Sequence, residues 1–284
     1  MFVYKKMINN MKRVISLSLV VVFAMVLLTG CKKDKGNPPV LPPEESMYVD
    51  FANFSAAKGD PGAFKGIENS NWEFAALVAG YFKYYTAITL IVPVTSFQLA
   101  IDQTPVWVDD KTWQWSYSAT VGPSTYKARL TGQIRSTDVV WKMYITKEGA
   151  GAFAEFLWFE GTSKLDGKGG SWTLNYSSAF QEPVLKIDWE GTGTTVTKVK
   201  YTYVRDKKDD RTTDPFKNSY IEYGKLTGTF NSYYTINYYN GAAFADMNVE
   251  WHSTVHNGRV KCSPFFGDAL WHCWNANLVN EVCP

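Results

Sequence analysis

All three histidines of the chain, His252, His256 and His272, and three of its four cysteines, Cys262, Cys273 and Cys283, fall between positions 252 and 283. Imidazole and thiolate are good zinc ligands, so these six residues are the pool from which a metal site would be drawn. The pattern around His252 opposes it. Met247, Val249 and Trp251 alternate as in a strand, and a strand carried on past them holds His252 and His256 about 13 Å apart at about 3.3 Å per residue, too far to share an ion. No metal and no cofactor are expected. In an exported chain, which the leader below indicates, disulfides are favoured. The expected bond is Cys273 to Cys283, pinning the C-terminus onto Trp271-His272-Cys273-Trp274 and leaving Cys262 a free, buried thiol. Cys262 to Cys273 is the other pairing that the spacing allows.

Catalytic constellations are scarce. The chain has no Gly-x-Ser-x-Gly elbow, no His-Glu-x-x-His helix, no phosphate loop and no dinucleotide fingerprint. Gly167-Lys168-Gly169-Gly170-Ser171 has the look of a phosphate loop, but no apolar strand leads into it and no helix follows, so it is expected to be a hairpin turn. A glycosidase needs two acids aimed into one cleft. Asp188 and Glu190 sit opposite the apolar Leu185-Ile187-Trp189 set and read as a wet outer face; Glu155 and Glu160 alternate to opposite faces of a regular strand. Glu250 and His252 share a face, a common arrangement on solvated strands. No catalytic residue is assigned, and the protein is expected not to be an enzyme.

The most specific chemistry lies at the N-terminus. Lys5, Lys6, Lys12 and Arg13 precede a 15-residue apolar run, Val14 to Leu28, which ends in Thr29-Gly30-Cys31. That is the plan of a secretory signal, shorter than a membrane span. Leu28-Thr29-Gly30-Cys31 resembles the lipobox of bacterial lipoprotein precursors, which implies removal of residues 1–30 and acylation of the Cys31 sulfur. Several acyl chains, each contributing about 0.8 kcal/mol per buried CH₂, would hold the protein on a membrane almost permanently. Lys32-Lys33-Asp34-Lys35 follows, then Pro38-Pro39 and Pro42-Pro43. Residues 31–46 are therefore expected to be a flexible, proline-rich tether of about 40 Å, at about 3.1 Å per residue for the extended part. The charged cluster behind the cysteine is similar to surface-export signals of Bacteroidota lipoproteins. The implied address is the bacterial outer membrane, with the periplasmic and cell-surface sides both open.

Behind the leader one domain, 47–284, is expected. Loss of the four basic leader residues takes the formal net charge from +2 to −2. Such a balance leaves no electrostatic footprint for nucleic acid. The 11 Trp, 17 Tyr and 17 Phe, set in short runs punctuated by glycine, favour strands.

Two periods divide the domain. Phe74, Leu77, Val78, Tyr81, Tyr84, Tyr85, Ile88, Ile91 and Val92 recur at helical spacing, with Asn71 as the expected N-cap. The helix is placed at about 72–92 and Pro93 ends or kinks it, with a short second helix over 96–102. Lys83 and the tyrosines argue against a membrane span there. From Pro105 to about His256 the period is two, as in Trp113-Trp115-Tyr117 or Leu185-Ile187-Trp189. Phe153 to Glu160, apolar at both parities, should be covered on both faces, and Arg205 to Arg211 reads as a solvated hairpin tip. The expected fold is mainly β: a meander of about ten antiparallel strands forming a barrel or half-barrel around one N-terminal apolar helix. That architecture resembles lipocalin-like barrels and the half-barrels of lipoprotein-carrier proteins. The candidate ligand-lining residues are Trp113, Trp115, Tyr117, Trp141, Trp172 and Trp189, facing inward to hold an apolar or amphipathic ligand beside the helix. Outward-facing aromatics would instead indicate glycan binding or assembly.

The leader generates a direct test. Replacing Cys31 by serine is expected to abolish incorporation of labelled palmitate and to release the protein from the membrane fraction; labelling that survives the substitution would remove the anchor.

Overall fold

The computed structural model describes residues 35–48 and 70–283. The leader, Cys31 and the glycine turn at 58–62 lie outside the described residues, as do the side chains of Tyr81, Tyr84, Tyr85, Ile88, Ile91 and Val92. From Pro38 onward the chain forms one compact unit.

Fourteen antiparallel strands make a single meander in strict chain order: β1 (Val106–Asp109), β2 (Thr112–Val121), β3 (Ser124–Ile134), β4 (Asp138–Glu148), β5 (Phe153–Lys164), β6 (Gly169–Asn175), β7 (Pro183–Gly191), β8 (Val196–Tyr203), β9 (Tyr220–Lys225), β10 (Ser232–Tyr239), β11 (Phe244–Trp251), β12 (Gly258–Lys261), β13 (His272–Trp274) and β14 (Asn280–Glu281). Turns at Gly122-Pro123, 165–168, 192–195 and 240–243 connect neighbouring strands; the hairpin turn expected over Gly167–Ser171 is shorter, because Gly169, Gly170 and Ser171 belong to β6. The count exceeds ten because β1, β12, β13 and β14 span four residues or fewer and β9 is interrupted in pattern by Gly224. After Cys262 the chain extends the sheet by two strands. Among the described residues the sheet does not close into a barrel: β1 pairs there with β2 alone and β14 with β13 alone, and edges of four and two residues offer little ladder for closure.

One face of this sheet is a continuous core. Register sets Trp113, Gly132, Trp141, Gly161 and Trp172 side by side on β2 to β6, a row that alternates indole and glycine. The alternation is steric. A Cβ on Gly132 would come within 2.6 Å of the Trp141 ring, and one on Gly161 within 2.5 Å of the Trp172 ring and closer still to the Ser171 carbonyl. Gly170 and Gly258 leave room in the same way for Trp189 and Trp274 opposite them. Hydrogen bonds fix the ring orientations: Trp141 Nε1 donates to Ser163 Oγ at 2.9 Å, Trp172 Nε1 to Ser46 Oγ at 3.1 Å, and Trp274 Nε1 to the His256 carbonyl at 2.8 Å.

β5 departs from the alternation expected of it. Trp158 is left without a pairing partner between Phe159–Met143 and Leu157–Tyr144, and a second register shift falls between Phe156 and Phe153. At the second bulge Glu155 takes a left-handed backbone conformation, φ 48°, and its N–H donates to Thr146 Oγ1. Each bulge adds a residue and re-aims the strand. Phe156 and Phe159, three apart, therefore both face the core, and the strand is buried on one face rather than covered on two.

Helix α1 (Asn71–Ile101) runs unbroken through Pro93 where a break and a second helix were expected. Proline removes one hydrogen bond, but Phe97 and Ala100 beyond it are fully buried, with Phe97 edge-on to Phe159 and Trp172, and this anchorage holds the last turns in line. The N-cap is Ser70, one residue before the expected Asn71; its Oγ accepts from the Glu73 N–H. Asn71 instead ties the helix start to the end of the sheet: its backbone N–H donates to Asn280 Oδ1 and its Nδ2 to the Cys273 carbonyl, both at 2.8 Å. The disulfide is Cys273–Cys283, and Cys262 is free and buried. α1 touches β2 and β3 as well as β12 and β13. Among the described residues no helix is long and apolar enough to cross a membrane. Part of the stretch assigned to the tether is packed: Pro39, Pro42 and Ser46 are buried, because the Glu44–Met47 turn sits against β7 and β8.

Overpacking a filled core costs about 1–3 kcal/mol, and at Gly161 the obstruction includes backbone. Gly161→Ala is thus expected to lower the urea midpoint by an amount equivalent to about 2–3 kcal/mol, with Ala128→Gly, which only removes a methyl group, as a milder comparison. An unchanged midpoint for Gly161→Ala would show that the indole and glycine row is not rigid.

Candidate functional site

The six residues expected to line a ligand cavity are brought together, on one face, but as packed core. Trp115, Trp141, Trp172 and Trp189 are each 2% exposed or less, and Trp113 and Tyr117 lie half-buried against them. Phe74, Ala76, Ala79, Leu90 and Phe97 of α1 belong to the same cluster, so helix side chains occupy the space beside the rings.

A cavity of about 490 Å³ opens instead on the opposite, wet face, over β4 to β9. Its centre is one cross-strand row: Thr162, Ser171, Asp188, Lys200 and Glu222 on β5 to β9, in register. Asp138, Lys164, Glu190 and Lys198 form its lower border, and Gly169 and Gly170 leave the floor bare. Two carboxylates pair with lysines, Asp188 with Lys186 at 2.8 Å and Glu190 with Lys198 at 2.9 Å; Asp138 is held by Arg135 at 2.7 Å. The hydrogen bond to Glu190 comes first in holding the Lys198 ammonium above its ordinary value, burial opposes it, and the fields of Glu190, Glu222 and Asp188 add to the rise. Tyr233 donates its hydroxyl to Glu222 at 2.6 Å. Its ring occupies the place of the side chain that Gly224, opposite it on β9, does not have. Burial, and then the bond to Glu222, push the Tyr233 hydroxyl well above the ordinary tyrosine range, so it stays a donor. Beside it Lys200 Nζ stands 3.8 Å from the Tyr220 ring centroid.

The alternation of β7 placed Asp188 and Glu190 on the wet face but did not join them to Thr162, Ser171, Lys200, Glu222 or Tyr233. These residues are spread from position 162 to position 233, and only strand register aligns them; Gly224, unexplained in a strand, was the one local signal. The other acids considered are dispersed. Glu155 pairs with Arg129, and Glu250 with Arg259 at 2.6 Å.

At the strand ends that carry the 176–182, 204–219 and 240–243 loops, the mixed-charge run is a folded structure and not the solvated tip expected. Arg205 is 5% exposed. Its guanidinium lies 3.6 Å from the Tyr176 ring centroid and donates to Glu182 at 3.0 Å and to Asp209 at 2.5 Å. Buried Asp214 accepts from the Tyr203 hydroxyl at 2.7 Å. Burial needs a compensated charge, and Arg205 has two carboxylates and a ring. Phe180 and Phe216 in these loops, Phe244 at the start of β11 and Phe265 in the Ser263–Phe266 helical turn are exposed at this same end.

The histidines do not converge. β11 ends at Trp251, so the basis for a 13 Å separation of His252 and His256 fails: the chain turns, and the His256 N–H donates to the His252 carbonyl. His252 Nδ1 faces the N–H groups of Thr254 and Val255, and His272 stacks on Phe266 beside Asp268. Among the described residues no group of three or more His, Cys, Asp or Glu is placed to hold a metal ion. Comparison with protein-family models, with curated proteins and with solved structures finds no match.

Arg205 generates the test of this region. Breaking an ion pair buried on both sides costs about 3–5 kcal/mol; Glu182 and Asp209 keep water, so Arg205→Met is expected to cost about 1–3 kcal/mol in urea unfolding and to expose the 204–219 loop to trypsin.

Proposed function

We propose that this is an exported lipoprotein held on the bacterial outer membrane through Cys31, and that it binds a glycan, without cleaving it, on the wet face of its sheet. The finer architecture in this reading is a half-barrel, an open meander bent about α1, with the helix in the position that a cargo would take in a ligand-carrying barrel. Contacts of α1 with strands near both ends of the meander support that shape. Filled by the helix, the aromatic face is structural.

One observation carries the ligand assignment. The cavity outside the core is lined by alternating acceptors and donors, Asp188, Lys200 and Glu222, with the hydroxyls of Thr162 and Ser171 beside them. A sugar offers hydroxyl groups that donate and accept at close spacing, which is what such a lining can satisfy. Val40, in the stretch that leads back to the anchor, lies at the Gly167 turn, at the strand ends opposite the Arg205 loops.

A second reading, an amphipathic ligand between helix and sheet, draws on Trp189 Nε1 and the Tyr201 hydroxyl, both buried and without a hydrogen-bond partner. Native mass spectrometry of the full acylated protein from its host separates the two: a bound acyl chain favours the second. For the first, titration with oligosaccharides is expected to give saturable heats, recovered sugars of unchanged length, and an affinity at least about tenfold weaker for Lys200→Met, about 1.4 kcal/mol. Shortened products would make the protein a hydrolase.

A further inference from the structure

Resting on the glycan reading, we infer that the ligand class is an uncharged oligosaccharide, laid across the strands, with the Tyr233 ring as its stacking platform.

The charge state follows from how the groove is already committed. Four carboxylates, Asp138, Asp188, Glu190 and Glu222, face three lysines, Lys164, Lys198 and Lys200, and Arg135 and Lys186 pair with two of the carboxylates from outside the lining, so neither sign dominates. Each carboxylate is already engaged: Asp138 by Arg135, Asp188 by Lys186, Glu190 by Lys198 and Glu222 by the Tyr233 hydroxyl. A cationic ligand would have to compete with those partners, and an anionic one would meet four carboxylates. A neutral polyol meets neither difficulty. An ionised carboxylate has about four lone-pair sites, so one engaged in a single bond still accepts from a sugar hydroxyl. Among the described residues Thr162, Ser171 and Lys164 make no side-chain hydrogen bond or ion pair and remain available as donors.

The length follows from register. Thr162, Ser171, Asp188, Lys200 and Glu222 occupy successive strands in one row, which at about 4.8 Å per strand extends about 19 Å. A single ring would leave most of the row unused; a chain of several rings running perpendicular to the strands would use all of it.

The platform follows from Gly224. Because that position has no side chain, the Tyr233 ring settles across β9 toward Lys198, the residue that pairs with Gly224 on the other side. The bond to Glu222 then fixes it at the end of the row. The ring borders the residues that line the cavity and is half-buried, so part of it meets solvent, and the C–H face of a sugar packs on an aromatic surface as any apolar group does. Stacking needs the ring and not the hydroxyl.

Isothermal titration of the full-length acylated protein in detergent tests each part, using neutral gluco-, manno- and xylo-oligosaccharides, uronic-acid oligosaccharides of matched length, and chitosan oligomers as the cationic arm. Neutral chains are expected to bind with an affinity that changes less than about threefold between low and high salt, since screening acts on charge. Tyr233→Leu is expected to weaken binding at least about tenfold, and Tyr233→Phe less than about threefold, both variants retaining the wild-type near-ultraviolet dichroism of the buried tryptophans. Preference for the acidic or cationic chains with a steep salt dependence would overturn the uncharged class while leaving the groove as the site. Unaltered binding by Tyr233→Leu would overturn the platform. Absence of binding by every oligosaccharide would overturn the glycan reading itself.

Discussion

Glycine opposite an aromatic ring is the arrangement on which this sheet depends. Five times, at Gly132, Gly161, Gly170, Gly224 and Gly258, the strand neighbour directly across the ladder is Trp141, Trp172, Trp189, Tyr233 or Trp274. At Gly132 and Gly224 the ring itself occupies the volume that a Cβ would claim; at Gly161, Gly170 and Gly258 it shares that volume with a backbone carbonyl. Glycine in a strand normally weakens it, through entropy and the loss of a packing partner. Here the ring supplies the packing, and burial of an indole, 150–250 Å² at about 25 cal/mol per Å², contributes on the order of 4–6 kcal/mol as an upper bound. The pairing also fixes register. A slip by one residue would set side chain against side chain along the whole row and turn the indoles to water.

The same device explains the two faces. On the core side four indoles laid over glycines make a surface low enough for α1 to pack on, and the helix meets it with small residues, Ala75, Ala76, Ala79 and Ala100, between the larger Phe74, Leu90 and Phe97. On the wet side the tyrosine laid over Gly224 is the exception, a ring flattened where no helix covers it. The open ends of the sheet are closed in chemistry instead of in ladder. At one end, β13 and β14 are tied by Cys273–Cys283 and fastened to the start of α1 through Asn71 and Asn280. Two-residue β14 has no ladder to sustain it alone; the covalent bond and the helix contact supply what length does not.

What was legible in the sequence followed from local periodicity. The two-residue alternation of Trp113-Trp115-Tyr117 or Leu185-Ile187-Trp189 identified the core face strand by strand, and glycine turns gave the meander order. The disulfide was legible only as a preference: spacing allowed Cys262–Cys273 as well, and it is the β13–β14 reversal that brings Cys283 to Cys273. The failures have one physical source, which is that tertiary partners override local pattern. Pro93 does not end α1 because Phe97 is held by Phe159 and Trp172. β5 is not two-sided because bulges at Trp158 and Glu155 rotate it. The Arg205 run is folded because Glu182, 23 residues earlier, reaches it. The groove could not be seen at all, since its five central residues share a row only after five strands are set in register.

The division of faces bears on what kind of protein this is. A ligand held against the aromatic face requires that face to be unoccupied, and side chains of α1 are packed on it. Removing α1 would expose the indoles of four strands together, so a helix that left to admit cargo would forfeit the core cluster. The wet face bears no such cost: no helix is packed on its row, and its polar side chains can exchange water for hydroxyl groups of comparable strength. Recognition on that face leaves the packing beneath it undisturbed. A sheet stabilised so heavily on one side can present on its other side a polar row whose spacing is set by the backbone ladder, and a ligand that repeats along its length is the kind that such a row can measure.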